Sequence, residues 1–157
     1  MDIIYHDVGG THSVIVASAI HLNKLPTDKR PTKEEILNLP RFDKVNQQEH
    51  GHLLYQGDDE FGNSVYTVGY KYSSKIALPL IKDTYNLIGN ANDDLLLVDT
   101  KPTINYTMKI GGFLSRSLGI VGVGRPIVTN GVLNAYSKIV KLVVDVKRKL
   151  EVETNQG

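Results

Sequence analysis

Cysteine is absent from the 157 residues of this chain. Its absence excludes disulfides, thiolate metal ligands and a cysteine nucleophile. Long hydrophobic runs are absent too, since no apolar stretch approaches the roughly 20 residues that a membrane-spanning helix needs. The first residues enter a strand pattern directly and show no signal-peptide pattern. We therefore expect a cytoplasmic protein without a membrane partner.

An excess of one charge is also lacking. Eighteen basic residues oppose seventeen acidic ones, which gives a net charge of +1. The chain thus lacks the basic surface typical of proteins that bind nucleic acid polymers. The hydrophobic fraction of 41% is sufficient for a buried core. We predict a single α/β domain over 1–150 and a flexible polar tail over 151–157.

The spacing of hydrophobic residues predicts the element order β-α-α-β-β-α-β-α-β-α. Strands are expected at 3–6, 53–56, 65–68, 95–98 and 120–124. The second and third form a hairpin, and the fourth has the continuous apolar character of a central parallel strand. Helices are expected at 11–23 and 104–118, and from Ser73 or Ser74 to about Ile88. A short helix should follow a capping box of Thr32 and Glu35, and the last helix should begin at a cap formed by Thr129 or Asn130. We predict a three-layer α/β sandwich with a mainly parallel sheet plus a β-hairpin insertion.

A glycine-rich segment after the first predicted strand, 7–13, is the most informative motif. Gly9 and Gly10 allow a tight turn and a close approach of the backbone to a ligand. The amides at the start of the next helix attract anions, and Thr11, His12 and Ser13 add side-chain donors. The segment matches neither G-x-x-x-x-G-K-[ST] nor G-x-G-x-x-G. It favours an anion site, with a tight connection capped by Thr11 as the alternative.

Ligands of open parallel sheets bind beyond the carboxyl ends of the strands. The segments 99–105 and 124–126 are expected there beside the glycine-rich loop. Asp99 suits a metal, a water or a ribose hydroxyl, or else a helix cap. Arg125 suits a phosphate clamp, with a solvent-facing or internally ion-paired arginine as the alternative. The predicted ligand-binding residues are Gly9, Gly10, Thr11, His12, Ser13, Thr100, Lys101, Asn105 and Arg125, and the catalytic candidates are Asp7, His12 and Asp99.

Two further motifs have simpler explanations. Glu49, His50 and His52 suggest a metal site, but their spacing is loose, so a loop with surface histidines is favoured and no metal or cofactor is expected. Gly111 and Gly112 lie inside a predicted helix, where each costs roughly 1 kcal/mol relative to alanine. Close packing, either against the sheet or across a homodimer interface, is favoured over a ligand contact.

The chain resembles a family of unknown function from spore-forming Gram-positive bacteria. The resemblance lies in the segments 3–13, 31–37, 59–66 and 111–116 and extends over nearly the whole chain. A weaker resemblance links the first strand, loop and helix to low-molecular-weight tyrosine phosphatases. Asp7 and Ser13 stand where that family has its cysteine and arginine. The second resemblance therefore implies phosphate binding without that catalysis.

Three functions follow as hypotheses. The favoured one is binding, and sequestration, of a phosphorylated small molecule such as a nucleotide or a nucleotide-derived signal. The second is a phosphohydrolase or phosphotransferase that uses Asp7 or His12 with Asp99 as partner. The third, suggested only by the first resemblance, is a non-catalytic structural or regulatory protein of sporulation.

Overall fold

The computed structural model of the protein describes residues 1–71, 73–89 and 94–154. Its strands are β1 (Asp2–Asp7), β2 (Leu54–Asp58), β3 (Ser64–Gly69) and β4 (Leu95–Asp99). They form a sheet of order β2-β3-β1-β4, in which β1 is parallel to both β3 and β4 and β2 is antiparallel to β3. The mixed α/β class, the mainly parallel sheet and the hairpin are confirmed.

Five α-helices accompany this sheet in the described residues: α1 (Ser13–His21), α2 (Lys33–Leu37), α3 (Ser74–Leu87), α4 (Tyr106–Gly112) and α5 (Val121–Thr154). Two 3-10 turns cover Gln47–Glu49 and Lys101–Thr103, and a π-helical turn covers Phe113–Ser117. The predicted capping box of Thr32 and Glu35 is present at the start of α2. None of these helices is long and apolar enough to cross a membrane.

The core lies between one face of the sheet and the helices α1 and α5. Ile3 and Tyr5 of β1 point into it, and all nine residues of α1 are buried. Helix α5 contributes a stripe of apolar side chains at helical spacing, Val132, Tyr136, Ile139, Val143 and Val146. The opposite face of the sheet lies beside α3, which has no buried residue. The three-layer sandwich therefore stays a prediction.

Two predictions about the sheet were wrong. The segment 120–124 is not a strand, because α5 starts at Val121 and continues through Arg125, so the predicted cap at Thr129 or Asn130 lies inside a helix. Ile120 and Val123 are 47% and 54% exposed, whereas a fifth strand of this kind would be buried. The run 95–98 does form a strand, but β4 pairs only with β1 in the described residues and so lies at an edge.

Glycines explain why a helix forms in that segment. A Cβ on Gly111 would lie 2.3 Å from the Val128 nitrogen, and one on Gly124 would lie 2.3 Å from the Ser115 nitrogen. Close backbone contact between α4, the π-helical turn and α5 therefore requires both glycines and compensates for their low helix propensity. Close packing at Gly111 is confirmed, but its partner is α5 rather than the sheet. The homodimer stays a prediction.

Candidate functional site

The loop between β1 and α1 already binds an anionic group, and that group is the carboxylate of Asp7. The Gly10 backbone N–H donates to Asp7 Oδ1 at 2.5 Å, and the Ser13 hydroxyl donates to Asp7 Oδ2. The Thr100 hydroxyl lies 2.9 Å from the Ser13 hydroxyl and 3.5 Å from Asp7 Oδ2. Asp7, Ser13 and Thr100 are all buried. We call the donors of Gly10, Ser13 and Thr100 the inner cradle.

The backbone conformation at Gly10 shapes this cradle. Its φ of +70° lies in the left-handed region that glycine adopts without strain. A Cβ at Gly10 would lie 2.7 Å from Gly69 Cα, at the carboxyl end of the neighbouring strand β3. The predicted role of this glycine in a tight turn is therefore confirmed, and the close approach is to β3 of the same chain.

Thr11 does not cap α1. The N-cap residue is His12, whose side chain makes no capping hydrogen bond, and the Thr11 hydroxyl donates to the Arg41 carbonyl at 3.5 Å. The predicted cap at Thr11 is therefore wrong. Within the described residues, the backbone N–H groups of Gly9, Thr11 and His12 donate no hydrogen bond. These are the free donors that a helix start offers to an anion.

His12 is held by an aspartate that sequence analysis did not identify. Its Nε2 lies 3.0 Å from Asp43 Oδ1, and because a carboxylate only accepts, Nε2 carries the donated proton. The ring packs edge-on against Phe42, with a centroid distance of 5.4 Å. A Cβ on Gly112 would lie 3.2 Å from the His12 Cε1 atom, so Gly112 makes room for the imidazole. No described group bonds to the Nδ1 of His12.

Asp43 joins the loop to the π-helical turn and to α5. Its Oδ2 accepts from the Ser115 hydroxyl at 2.6 Å and from Arg125 Nε at 2.8 Å, and its carbonyl accepts from Arg116 at 3.1 Å. Burial alone would raise the pKa of Asp43, but the hydrogen bonds from His12, Ser115 and Arg125 outweigh burial and hold that pKa at about 2. Arg125 thus forms an internal ion pair, which was given above as an alternative to a phosphate clamp.

Only part of the segment 99–105 lies beside the loop. Thr100 joins the inner cradle, whereas Asp99 accepts from the Lys101 backbone N–H at 2.9 Å and pairs with the Lys101 ammonium at 3.3 Å. Asn105 caps α4 by accepting from the Met108 N–H at 2.9 Å, and it donates to the Gly131 carbonyl at 2.7 Å. Asp99 therefore has a local role, and Asn105 a structural one.

Cationic and donor groups surround the opposite side of the loop. Gly9 is exposed, and a Cβ there would meet nothing within 4 Å. The Lys71 backbone N–H donates to the Val8 carbonyl at 2.8 Å, which places the backbone of Lys71 beside Gly9. Burial and then the Lys71 ammonium lower the pKa of His50, whose Nδ1 is buried without a partner. We call the surface formed by Gly9, His50 and Lys71 the outer face of the loop.

The residues suggested as a metal site are used differently. Glu49 accepts from Arg41 at 2.8 Å and from the Asn46 backbone N–H at 2.9 Å. In the described part of the chain, no group of three or more histidine and acidic side chains is arranged to hold a metal ion. His50 is therefore assigned to the outer face rather than to a metal centre.

A comparison with known families matches the chain to one model. The family described as Protein of unknown function (DUF3189) matches residues 2–148, which include the inner cradle, Asp43 and the outer face. The expected resemblance to a family of unknown function is thereby confirmed. No curated protein and no solved structure matches the chain. The expected occurrence in spore-forming bacteria and the likeness to the phosphatases stay predictions.

Proposed function

We propose that this chain, which belongs to the DUF3189 family of proteins of unknown function, binds a small phosphorylated molecule at the outer face of the β1–α1 loop. The observation on which the proposal rests is the division of the loop into two sides. The inner cradle is occupied by the Asp7 carboxylate, while the outer face is open at Gly9 and has free backbone donors.

Asp7 determines where a phosphate can bind. Two anions that share the same donors at a few ångströms repel each other by several kcal/mol at the effective dielectric of a partly buried site. The inner cradle therefore excludes a second anion, although its donors are of the type that phosphate prefers. The amides of Gly9, Thr11 and His12 remain for the ligand.

The charges on the outer face favour an anion. Lys71 supplies an ammonium group, and the lowered pKa of His50 keeps that imidazole neutral and able to donate or accept one hydrogen bond. The start of α1 adds the positive end of its dipole. We propose a phosphate above Gly9, with Lys71 as its principal cation.

Calorimetry at pH 7 and low salt tests the proposal, first with inorganic phosphate and then with a panel of phosphorylated molecules that includes nucleotides. We expect binding that Lys71→Gln weakens by about tenfold, the effect of one charged hydrogen bond. Lys141→Gln, which removes an exposed lysine of α5, is the matched control and should leave binding unchanged. No heat with any member of the panel, or equal binding by the Lys71 variant, would reject the proposal.

A second candidate function is hydrolysis or transfer of the phosphate. The pair of His12 and Asp43 favours it, since Asp43 accepts from Nε2 and leaves Nδ1 able to exchange a proton with a ligand. In this second function, Asp43 rather than Asp99 orients the imidazole of His12. Chromatography of the ligand after incubation distinguishes the two functions. Turnover that His12→Gln abolishes without loss of binding supports catalysis, and turnover unaffected by that change rejects the role of His12.

A further inference from the structure

We infer that the phosphorylated ligand has a hydrocarbon body, and that this body occupies a cavity between α3 and the sheet. The inference rests on the proposed function, because it names the class of molecule whose phosphate binds at the outer face. A straight alkyl phosphate is the simplest member of that class.

The cavity lies on the sheet face opposite the main core and has a volume of about 420 Å³. That volume falls within the range of small-molecule sites, which are clefts of about 300–1,000 Å³ with mainly apolar walls. The walls are formed chiefly by apolar side chains, which are Ile4, Leu53, Leu80, Ile81, Ile88 and Leu95.

Helix α3 leaves this cavity open. Leu80 and Ile88 line it, yet they are 61% and 69% exposed. The Tyr85 hydroxyl donates to Asp2 Oδ2 and to the Asp94 carbonyl, both at 3.1 Å, and so fixes the helix to the start of β1. Burial of such an apolar surface by an apolar group is favourable, because it removes the surface from water.

The chemistry of the walls selects the occupant. Among the lining side chains, those with a polar group are Asp2, Tyr66, Thr84 and Tyr85, and Asp2 and Tyr85 already bond to each other. A nucleobase would bring several donors and acceptors into the cavity and leave most of them without partners, which is costly. A hydrocarbon has no such groups. The walls therefore favour an aliphatic body over the nucleotide suggested by the sequence.

The position of Gly51 links the cavity to the outer face. Gly51 lines the cavity, and its N–H donates to the Gly69 carbonyl at 2.8 Å, at the carboxyl end of β3. The preceding residue, His50, belongs to the outer face together with Lys71. At the carboxyl edge of the sheet, two consecutive residues thus belong to the two sites: His50 to the outer face and Gly51 to the apolar cavity.

Calorimetry with inorganic phosphate and with butyl, hexyl and octyl phosphate, below the concentrations at which they aggregate, tests the inference. Each added methylene that enters the cavity should tighten binding by about fourfold, the fold-change equivalent to ~0.8 kcal/mol per buried methylene. We expect this chain-length series at a stoichiometry of one. Octanol, which lacks the phosphate, should bind more weakly than octyl phosphate.

Two variants of exposed residues on α3 show whether the gain comes from the cavity. Leu80→Glu places a charge in the lining and should abolish the dependence on chain length. Ile76→Glu makes the same change four residues earlier, at a side chain that is 70% exposed and outside the lining, and should preserve the series. Binding of inorganic phosphate should be the same in both variants.

The outcomes separate this inference from the proposed function. Alkyl phosphates that bind no tighter than inorganic phosphate, or a chain-length series that Leu80→Glu and Ile76→Glu alter equally, would overturn the inference and leave the phosphate site in place. Absence of binding by inorganic phosphate, by every alkyl phosphate and by the rest of the panel of phosphorylated molecules would overturn both.

Discussion

The backbone N–H of Gly10 donates a hydrogen bond of 2.5 Å to the carboxylate of Asp7, three residues earlier in the same loop. The donors that the sequence offers to a phosphate are therefore partly occupied by a charge of the chain itself. An internal carboxylate in such a position holds the loop in shape when no ligand is bound. Under the proposed function, it would also direct an anionic ligand to the other side of the loop.

Replacing Asp7 tests this relationship. Asp7→Asn retains the shape and an oxygen that can accept from Gly10, but it removes the negative charge. Loss of repulsion worth on the order of 1 kcal/mol should tighten the binding of inorganic phosphate by about tenfold in calorimetry. Asp28→Asn, at an exposed acidic residue, is the control for net charge. Weaker binding by the Asp7 variant would instead show that this carboxylate assists the ligand.

The two adjacent glycines of the loop should differ sharply in their tolerance of alanine. Gly10→Ala combines a positive φ with a Cβ only 2.7 Å from Gly69 Cα, so we expect a loss of about 2–4 kcal/mol in the free energy of unfolding. Gly9→Ala introduces a Cβ into open space and should change stability by less than about 0.5 kcal/mol. Urea denaturation of both variants measures the difference, and equal losses would contradict the packing described.

The features that were predicted correctly are those whose sequence signal is local. The hairpin, the capping box of Thr32 and Glu35, and the turn at Gly10 each depend on residues within a few positions of one another. No local motif indicates Asp43, since its partner His12 lies 31 residues away. Contacts of that kind appear only after the chain has folded, so no spacing rule predicts them.

Tertiary packing explains the wrong strand at 120–124. The apolar residues of that segment are interrupted by Gly122 and Gly124, a pattern that favours a strand over a helix on local propensity. The close contact of Gly124 with Ser115 selects the helix instead. Local propensity is a weak guide wherever glycines are needed for the contact between two helices.

The stability of the protein should decrease as the pH falls below about 6.5, the ordinary pKa of histidine. His21 is fully buried and neutral, since its Nδ1 accepts from the Tyr5 hydroxyl at 2.8 Å and its Nε2 donates to Asp59 at 3.1 Å. Burial lowers the pKa of His21 despite the opposing effects of Asp59 and Glu60, and Lys147 lowers it further.

The unfolded chain therefore takes up a proton at a pH where folded His21 does not, and acid favours unfolding until the lowered pKa is reached. His6 and His50 shift in the same direction and add to the effect. Urea denaturation between pH 7.5 and 5 measures it. His52→Gln, at an exposed residue, should follow the wild-type curve, while His21→Gln should be less stable at pH 7.5 and less sensitive to pH. A wild-type stability that rises toward pH 5 would contradict the assignment.

Removal of the Asp43 carboxylate should have the largest effect on the site. Asp43→Asn removes the charge that pairs with Arg125 and the acceptor that orients His12, so we expect a loss of about 3 kcal/mol, the lower end for a broken buried pair because Arg125 is partly exposed. Ser115→Ala deletes one hydrogen bond to the same carboxylate and should cost about 1 kcal/mol. Ser117→Ala, at an exposed serine of the same turn, is the control.

If the carboxylate causes that loss, the loss should not change with pH over the range in which the carboxylate stays charged. Because the pKa of Asp43 is lowered from 3.8 to about 2, its stabilising effect is fully present above pH 3.8 and disappears as the pH falls through about 2. The deficit of Asp43→Asn should therefore be the same at pH 7 and pH 5 in urea denaturation. A deficit that changes between those two values would mean that a group other than the Asp43 carboxylate contributes to the loss. Nitrogen NMR of His12 adds an independent measure: the proton should reside on Nε2 in the wild type and lose that preference in the Asp43 variant.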